Sequence, residues 1–370
     1  MSKGGSGFLS GPVIAASLLL AACGGAAAPA ASSGPAAPAS KPAASASASG
    51  PASAGAGSAS AAAKPAAGGD KANLVISYSA PTASQSAPWI AADEGFYDKY
   101  GLGKVEVKPI FSGPLGVTAL IGGDVDIAVA GGDAIVAARV KGSPVVEIGS
   151  FKNYLTGGLV ARQGIDKLDQ AKKIAVSRIG SNTHYMAVQA LTRNGIDPKT
   201  VTFIQTGSGA NNVAALSTGQ VDAASTVPPE ELEAEHQGGH LLLNMTALKI
   251  GYPAAGIVVT QATLQKKPDA IKRALEAFGA GMHVFFNNPD RAQAIIAKWA
   301  KIDDKEALQD GYNSEKQVLE QELTPRPEAL AALLTEAAAT EPAAKDMKPE
   351  QLIDDTILKA LVNDGFFKSL

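Results

Sequence analysis

From residue 74 onward, short apolar blocks alternate with stretches in which apolar residues recur every three or four positions. The blocks at 74–78 (LVISY), 105–111, 127–130 and 145–148 are rich in β-branched residues and too short for buried helices, so they predict buried strands. The intervening stretches at 87–99, 116–121 and 134–141 predict helices. A second series follows, with strands expected at 173–177, 201–205, 221–225 and 241–243 and helices between them. Strand–helix alternation at this spacing predicts an α/β protein with parallel sheets, whose ligands gather at the carboxyl ends of the strands. Residues 257–259 (IVV) predict one more strand, returning the chain to its first half. Beyond it the pattern is nearly all helical, with runs starting at Pro268, Pro289, Asp303, Pro327 and Pro349. Proline is well tolerated in a first helical turn.

The two halves echo one another. "ALIGGDVDIAVA" (119–130) and "ALSTGQVDAAST" (215–226) share Ala-Leu, then glycine, then Val-Asp-x-Ala. In each, a helix is expected to end on glycine, Gly122 in one and Gly219 in the other, where a left-handed cap suits that residue. Two similar α/β lobes in one chain create a cleft between them. The expected division is lobe I at 73–160 and 253–370, and lobe II at 161–252.

The first 72 residues are of another kind. Residues 1–22 hold one lysine and an apolar run too short to span a bilayer stably, followed by Cys23 in Leu20-Ala21-Ala22-Cys23. This looks like a bacterial lipobox: a signal peptide at 1–22 and lipidation at Cys23. Residues 23–72 are Ala, Pro, Ser and Gly almost throughout, a composition that cannot bury enough apolar surface to offset ordering entropy. A disordered tether is expected, spanning ~35–40 Å root-mean-square and lifting a domain clear of a membrane.

Composition narrows the function. The chain of 370 residues carries a formal charge of −3 with 5% aromatic residues, so neither a basic face nor a base-stacking platform for nucleic acid is expected. One cysteine excludes a disulfide framework or a multi-cysteine metal site. There is no Gly-x-x-x-x-Gly-Lys-Ser/Thr, no Gly-x-Gly-x-x-Gly after a strand and no Gly-x-Ser-x-Gly. The four histidines, His184, His236, His240 and His283, form no zinc pattern, because Gly238-Gly239 breaks any helix joining His236 to His240. No catalytic residue, cofactor or metal is expected.

The segment "APWIAADEGFYDKYGLGKVEVKPIFSG" (87–113) resembles the opening of the nitrate/sulfonate/taurine-type substrate-binding proteins of ABC transporters. "ALIGGDVDIAVAGGD", "GSPVVEIGS", "KKIAVSRIGSNTHYMAVQALTRNGID" and "ALSTGQVDAASTVPPE" follow in that family's order, covering residues 73–260. The resemblance, which extends to proteins that bind thiamine-pyrimidine precursors, implies a type II periplasmic-binding-protein fold. It also implies capture of a small solute for an ABC permease by a monomer lipid-anchored outside the cytoplasm. Two other roles share the resemblance. One is a solute sensor signalling to a membrane receptor. The other is a pyrimidine-precursor synthase, whose eukaryotic branch carries a cysteine-rich iron-binding motif that this chain lacks.

Candidate contacts follow from strand ends. After the first strand, the polar loop 79–89 offers Ser84, Gln85, Ser86 and Trp89, although Ser86 also suits a helix cap. Ser112-Gly113 and Gly131-Gly132-Asp133 occupy equivalent edges of the same lobe, where glycine lets a ligand approach the backbone. Across the cleft, Gly180, Ser181, Asn182, Thr183 and His184 open a helix, whose free amides and partial positive charge favour an anion or polar group. In the resembling family this helix start grips the acidic or polar end of the solute. Tyr154 is expected to close the pocket from the crossover, with Pro228 and Glu230 lining its floor. Gly95-Phe96-Tyr97 ends the first helix and packs its aromatics into the core. No arginine stands at an obviously cleft-facing strand end, Arg178 being nearest, so the solute's charge is open between an anion such as sulfonate, taurine or nitrate and a neutral or zwitterionic pyrimidine.

Overall fold

A computed structural model describes residues 71–370; the expected signal peptide, Cys23 and nearly all of the expected tether lie outside the described residues. The first half runs β1 (Leu74–Tyr78), α1 (Ala87–Asp93), α2 (Phe96–Lys99), β2 (Val105–Pro109), α3 (Gly113–Gly122), β3 (Ile127–Ala130), α4 (Gly132–Val140) and β4 (Val145–Ser150). The second runs β5 (Gly158–Ala161), β6 (Lys173–Val176), α5 (Asn182–Arg193), β7 (Thr202–Gln205), α6 (Gly209–Ser217), β8 (Ala223–Thr226), α7 (Glu230–His236) and β9 (His240–Asn244). The chain returns through β10 (Gly256–Thr260) and ends in α8 (Gln261–Lys266), α9 (Pro268–Asn287), α10 (Pro289–Ala300), α11 (Lys305–Lys316), α12 (Pro327–Ala337) and α13 (Thr356–Asn363).

Two five-stranded sheets result, ordered β2-β1-β3-β10-β4 and β7-β6-β8-β5-β9. They are equivalent strand for strand, with β6 answering to β1, β7 to β2, β8 to β3 and β5 to β10. Both are mixed rather than wholly parallel: β10 lies antiparallel between β3 and β4, and β5 antiparallel between β8 and β9. The boundary expected at residue 160 falls inside β5, all of which belongs to the second sheet, so the chain crosses between lobes before residue 158.

The repeated Val-Asp has the same task in both halves. Asp126 Oδ2 accepts from the Val75 amide at 2.9 Å, and Asp222 Oδ2 accepts from the Lys172 and Lys173 amides at 2.9 and 3.0 Å. Each carboxylate thus ties the strand that follows it, β3 or β8, to the neighbouring parallel strand, β1 or β6. Each also meets a cation, Lys267 at 2.7 Å or Arg162 at 2.8 Å. The helix preceding each motif stops on a left-handed glycine, although in the first half this is Gly123 (φ +82°) rather than Gly122; in the second it is Gly219 (φ +70°). The pair of glycines 122–123 supplied two candidates, and the helix runs one residue further than expected.

Gly95 (φ +69°) splits the expected 87–99 helix into α1 and α2, and Tyr97 goes into the core with its hydroxyl donating to the Pro88 carbonyl at 2.9 Å. One apolar cluster fills the space between the first sheet and α1, α9, α10 and α13. Helices α9 and α1 approach closely: a Cβ on Gly281 would come within 2.6 Å of the Ala87 carbonyl oxygen. A second cluster runs from the other face of that sheet through α4 and α12 into the second lobe, and a third lies beneath α6 and α7.

Candidate ligand-binding site

The cleft is built from matched strand ends. From the first lobe come the turn after β1 (Ser79, Ala80, Pro81, Gln85), the turn after β2 (Phe111, Ser112, Gly113) and Gly131 after β3. From the second come the turn after β6 (Ser177, Ser181, Asn182, Thr183), the turn after β7 (Ser208, Gly209) and the segment after β8 (Val227, Glu230). Together with Ala254 these residues line a cavity of about 60 Å³, smaller than the usual ligand pocket. Carboxyl ends of strands meet here because both sheets carry parallel β-α-β units that deliver their turns to one edge.

The start of α5 is tightly organised. Ser177 Oγ, Ser181 Oγ and Thr183 Oγ1 lie 2.9–3.0 Å from one another, and Thr183 Oγ1 accepts from the Ser177 amide at 2.9 Å. Ser181 is the N-cap, accepting from His184 N at 3.4 Å. The amides of Asn182 and Thr183, in the first turn, have no acceptor within the helix, and both residues line the cavity. Opposite, Gln85 accepts from Ser79 N (2.7 Å) and donates to Ser79 Oγ (3.0 Å), which fixes the first turn.

Three buried polar atoms of cavity-lining residues have no partner: Ser112 Oγ, Asn182 Oδ1 and Glu230 Oε2. Glu230 is 6% exposed, and burial, reinforced by Glu233, pushes its carboxyl up to about 8. It opens α7 and lies against the first turn of α6, where any Cβ on Gly209 would collide with the carboxylate. The contact demands glycine there.

Of the residues singled out from sequence, Gln85, Ser112, Gly113, Gly131, Ser181, Asn182, Thr183 and Glu230 converge on this cavity. The others do not line it. Ser84 pairs with Thr82 at 2.9 Å, and Ser86 donates to the Ala83 carbonyl at 2.7 Å. Trp89 is fully buried between Tyr78 and Trp299, a core residue because α1 turns it inward. Gly132 is pressed against Pro253 and Leu333 of α12. Pro228 is buried beside Val227. Tyr154 lies under the Arg326 guanidinium, 5.7 Å from its ring centre, with its backbone bridged to Gly251.

Asp133, Gly180 and His184 instead line a neighbouring cavity of about 330 Å³ between α4, α5 and α12. Asp133 accepts from the Tyr252 hydroxyl, and burial pushes its carboxyl up to about 7. His184 turns away because Nδ1 accepts from Gly180 N at 3.3 Å while its ring meets Phe203 edge-on; burial lowers its basicity. Arg178 is half-buried outside the cleft lining, with Nε unpartnered. Sequence reasoning passed over Ser208-Gly209, although "TGSGANNV" repeats the Ser-Gly of "FSGPLGV" in the equivalent turn.

The family model described as "NMT1/THI5 like" matches residues 84–292, more than half of the 370. The 4-amino-5-hydroxymethyl-2-methylpyrimidine phosphate synthase of Schizosaccharomyces pombe is 30% identical over 138 residues, covering 36% of this chain and 38% of the enzyme. The match therefore spans well under half of that relative. Among solved structures, the alkanesulfonate-binding protein SsuA of Xanthomonas axonopodis pv. citri bound to MOPS superposes with TM-score 0.64 at 16% identity, over 79% of this chain and 98% of that one. The periplasmic nitrate-binding protein NrtA of Synechocystis PCC 6803 gives 0.66 at 16% identity, over 80% and 89%. Both share the fold. The chain belongs to the NMT1/THI5 like family and has the two-lobed fold of the sulfonate- and nitrate-binding proteins of ABC importers.

Proposed function

We propose that this protein is an extracytoplasmic solute-binding lipoprotein, anchored through Cys23, that holds a small organic solute between its lobes and presents it to an ABC permease. The observation that carries this reading is the cavity at the meeting of the two sets of strand ends, with Ser112 Oγ, Asn182 Oδ1 and Glu230 Oε2 unpartnered on its walls. Buried polar atoms without partners cost about 1–3 kcal/mol each, and a solute that satisfies them recovers that cost. A few such bonds with apolar burial reach the roughly −8 kcal/mol of a micromolar site. Two lobes joined by crossing segments suit hinge closure, which would give a permease a loaded shape to recognise.

The Schizosaccharomyces pombe synthase raises an enzymatic alternative. Against it, the chain lacks the cysteine-rich iron-binding motif of that eukaryotic branch, its one cysteine being Cys23. Isothermal calorimetry on the full chain, across sulfonates, taurine, nitrate and aminopyrimidines, tests capture directly. Micromolar binding of one solute class without turnover is expected. Silence across the panel, together with no thermal shift from cell extract, would sink the proposal.

A further inference from the structure

Resting on that proposal, we infer that the cleft selects a compact solute presenting a positively charged or N–H-rich nitrogen to Glu230, and discriminates against simple anions. Among the residues lining the cavity, Glu230 is the one with an ionisable side chain; no lysine, arginine or histidine is present to neutralise a sulfonate or nitrate. Its carboxylate is fixed rather than adaptable, buried to 6% exposure, wedged over Gly209 and without a partner for Oε2. Asn182 Oδ1, also unpartnered, adds a second acceptor on the same lobe.

The physics is one-sided. An anion gains no charge pairing from a neutral Glu230 and meets short-range repulsion from an ionised one, with no countercharge and little water to screen it. A protonated amine or amidine-type nitrogen completes a charge-assisted hydrogen bond at Glu230 Oε2, which has no partner in the protein. The amides of Asn182 and Thr183 at the start of α5 remain available for a polar or acidic group at the solute's other end, so a zwitterion is accommodated. An amine-free anion leaves Glu230 unanswered.

The test uses probe pairs that differ by one amino group: taurine against ethanesulfonate, and 4-aminopyrimidine against pyrimidine. Each is titrated calorimetrically into the full chain and into Glu230→Gln and Glu230→Asp variants whose melting is checked first. In at least one pair the amino member should bind tenfold or more tightly than its partner. Glu230→Gln should weaken that member at least 30-fold while leaving pyrimidine unchanged and binding ethanesulfonate as well as or better than wild type; Glu230→Asp, which keeps the charge but withdraws it by one methylene, should fall between. Amine-free anions binding tightest, or Glu230→Gln binding the amino probe as well as wild type, overturns the inference and leaves solute capture standing. If nothing binds, both fall.

Discussion

Glu230 and Glu147 are carboxyl groups held away from water, one on the cleft wall and one inside β4, where both Glu147 oxygens lack partners. Burial pushes each up to about 8 from an ordinary 4.5. The folded state therefore keeps protons that the unfolded chain has already released. The stability involved is fully present below pH 4.5 and is lost as pH rises toward 8. Glu147→Gln should flatten that decline, and near pH 8 the variant should exceed wild type by on the order of 3 kcal/mol in urea melts. The opposite sign governs amine binding at Glu230. An amine pairs with the ionised carboxylate, so affinity for an amino probe should rise about 50-fold from pH 6 to pH 8 while that for pyrimidine stays flat and that for ethanesulfonate does not rise. Around Glu230, α6 and β5 bring no titratable side chain, α7 brings Glu233, α11 sets Asp310 near Glu231 and Asp304 near Glu233, and β9 carries His240. At this scale the sequence was partly legible. Polar residues and glycines after strands could be picked out, and eight meet at the cavity. What a linear pattern does not carry is side-chain direction: Trp89 and His184 flank the right turns yet point into packing.

Among the elements, the internal repeat was the most readable feature, because Val-Asp straps and glycine stops obey local rules that hold in both halves. Gly123 and Gly219 have positive φ, and a methyl group added to either would meet nothing within 4 Å, so the strain of a side chain there is purely conformational. Each alanine substitution should cost about 1–2 kcal/mol, and nearly the same amount at the two sites, measured by chemical denaturation. Strand direction was not readable. The stretch GLVA of β5 is short, apolar and flanked by glycine, and the same four residues suit a parallel or an antiparallel neighbour. Its partners lie 60 or more residues away, beyond any local signal, as the pairing of Leu159 with Ser225 and Leu243 shows.

Across the whole molecule, the two lobes are joined by segments 151–157 and 245–255, which run side by side: Tyr252 N donates to Asn153 O at 2.9 Å and Leu155 N to Ile250 O at 3.0 Å. The C-terminal region braces them. Glu320 N donates to Phe151 O at 2.9 Å, and Lys152 forms a fully buried ion pair with Glu315 of α11 at 2.7 Å, shared with Thr156. Removing one partner strands the other charge, so Lys152→Ala should cost about 3–5 kcal/mol in thermal or chemical melts. A smaller loss would mean that water reaches Glu315.

The placement of β10 has a temporal consequence. Residues 158–244 contain every strand of the second sheet, whereas β3 and β4 of the first become neighbours only through β10, which arrives at Gly256. The portion that leaves the ribosome earlier is thus completed later, after the other has closed upon itself. In pulse-labelled hydrogen exchange during refolding, amides of β5, β6 and β8 should gain protection before those of β3 and β4; simultaneous protection would contradict this order. A polypeptide interrupted before Gly256 leaves β3 and β4 with bare edges, an invitation to stick to its neighbours that the finished protein withdraws with a single five-residue insertion.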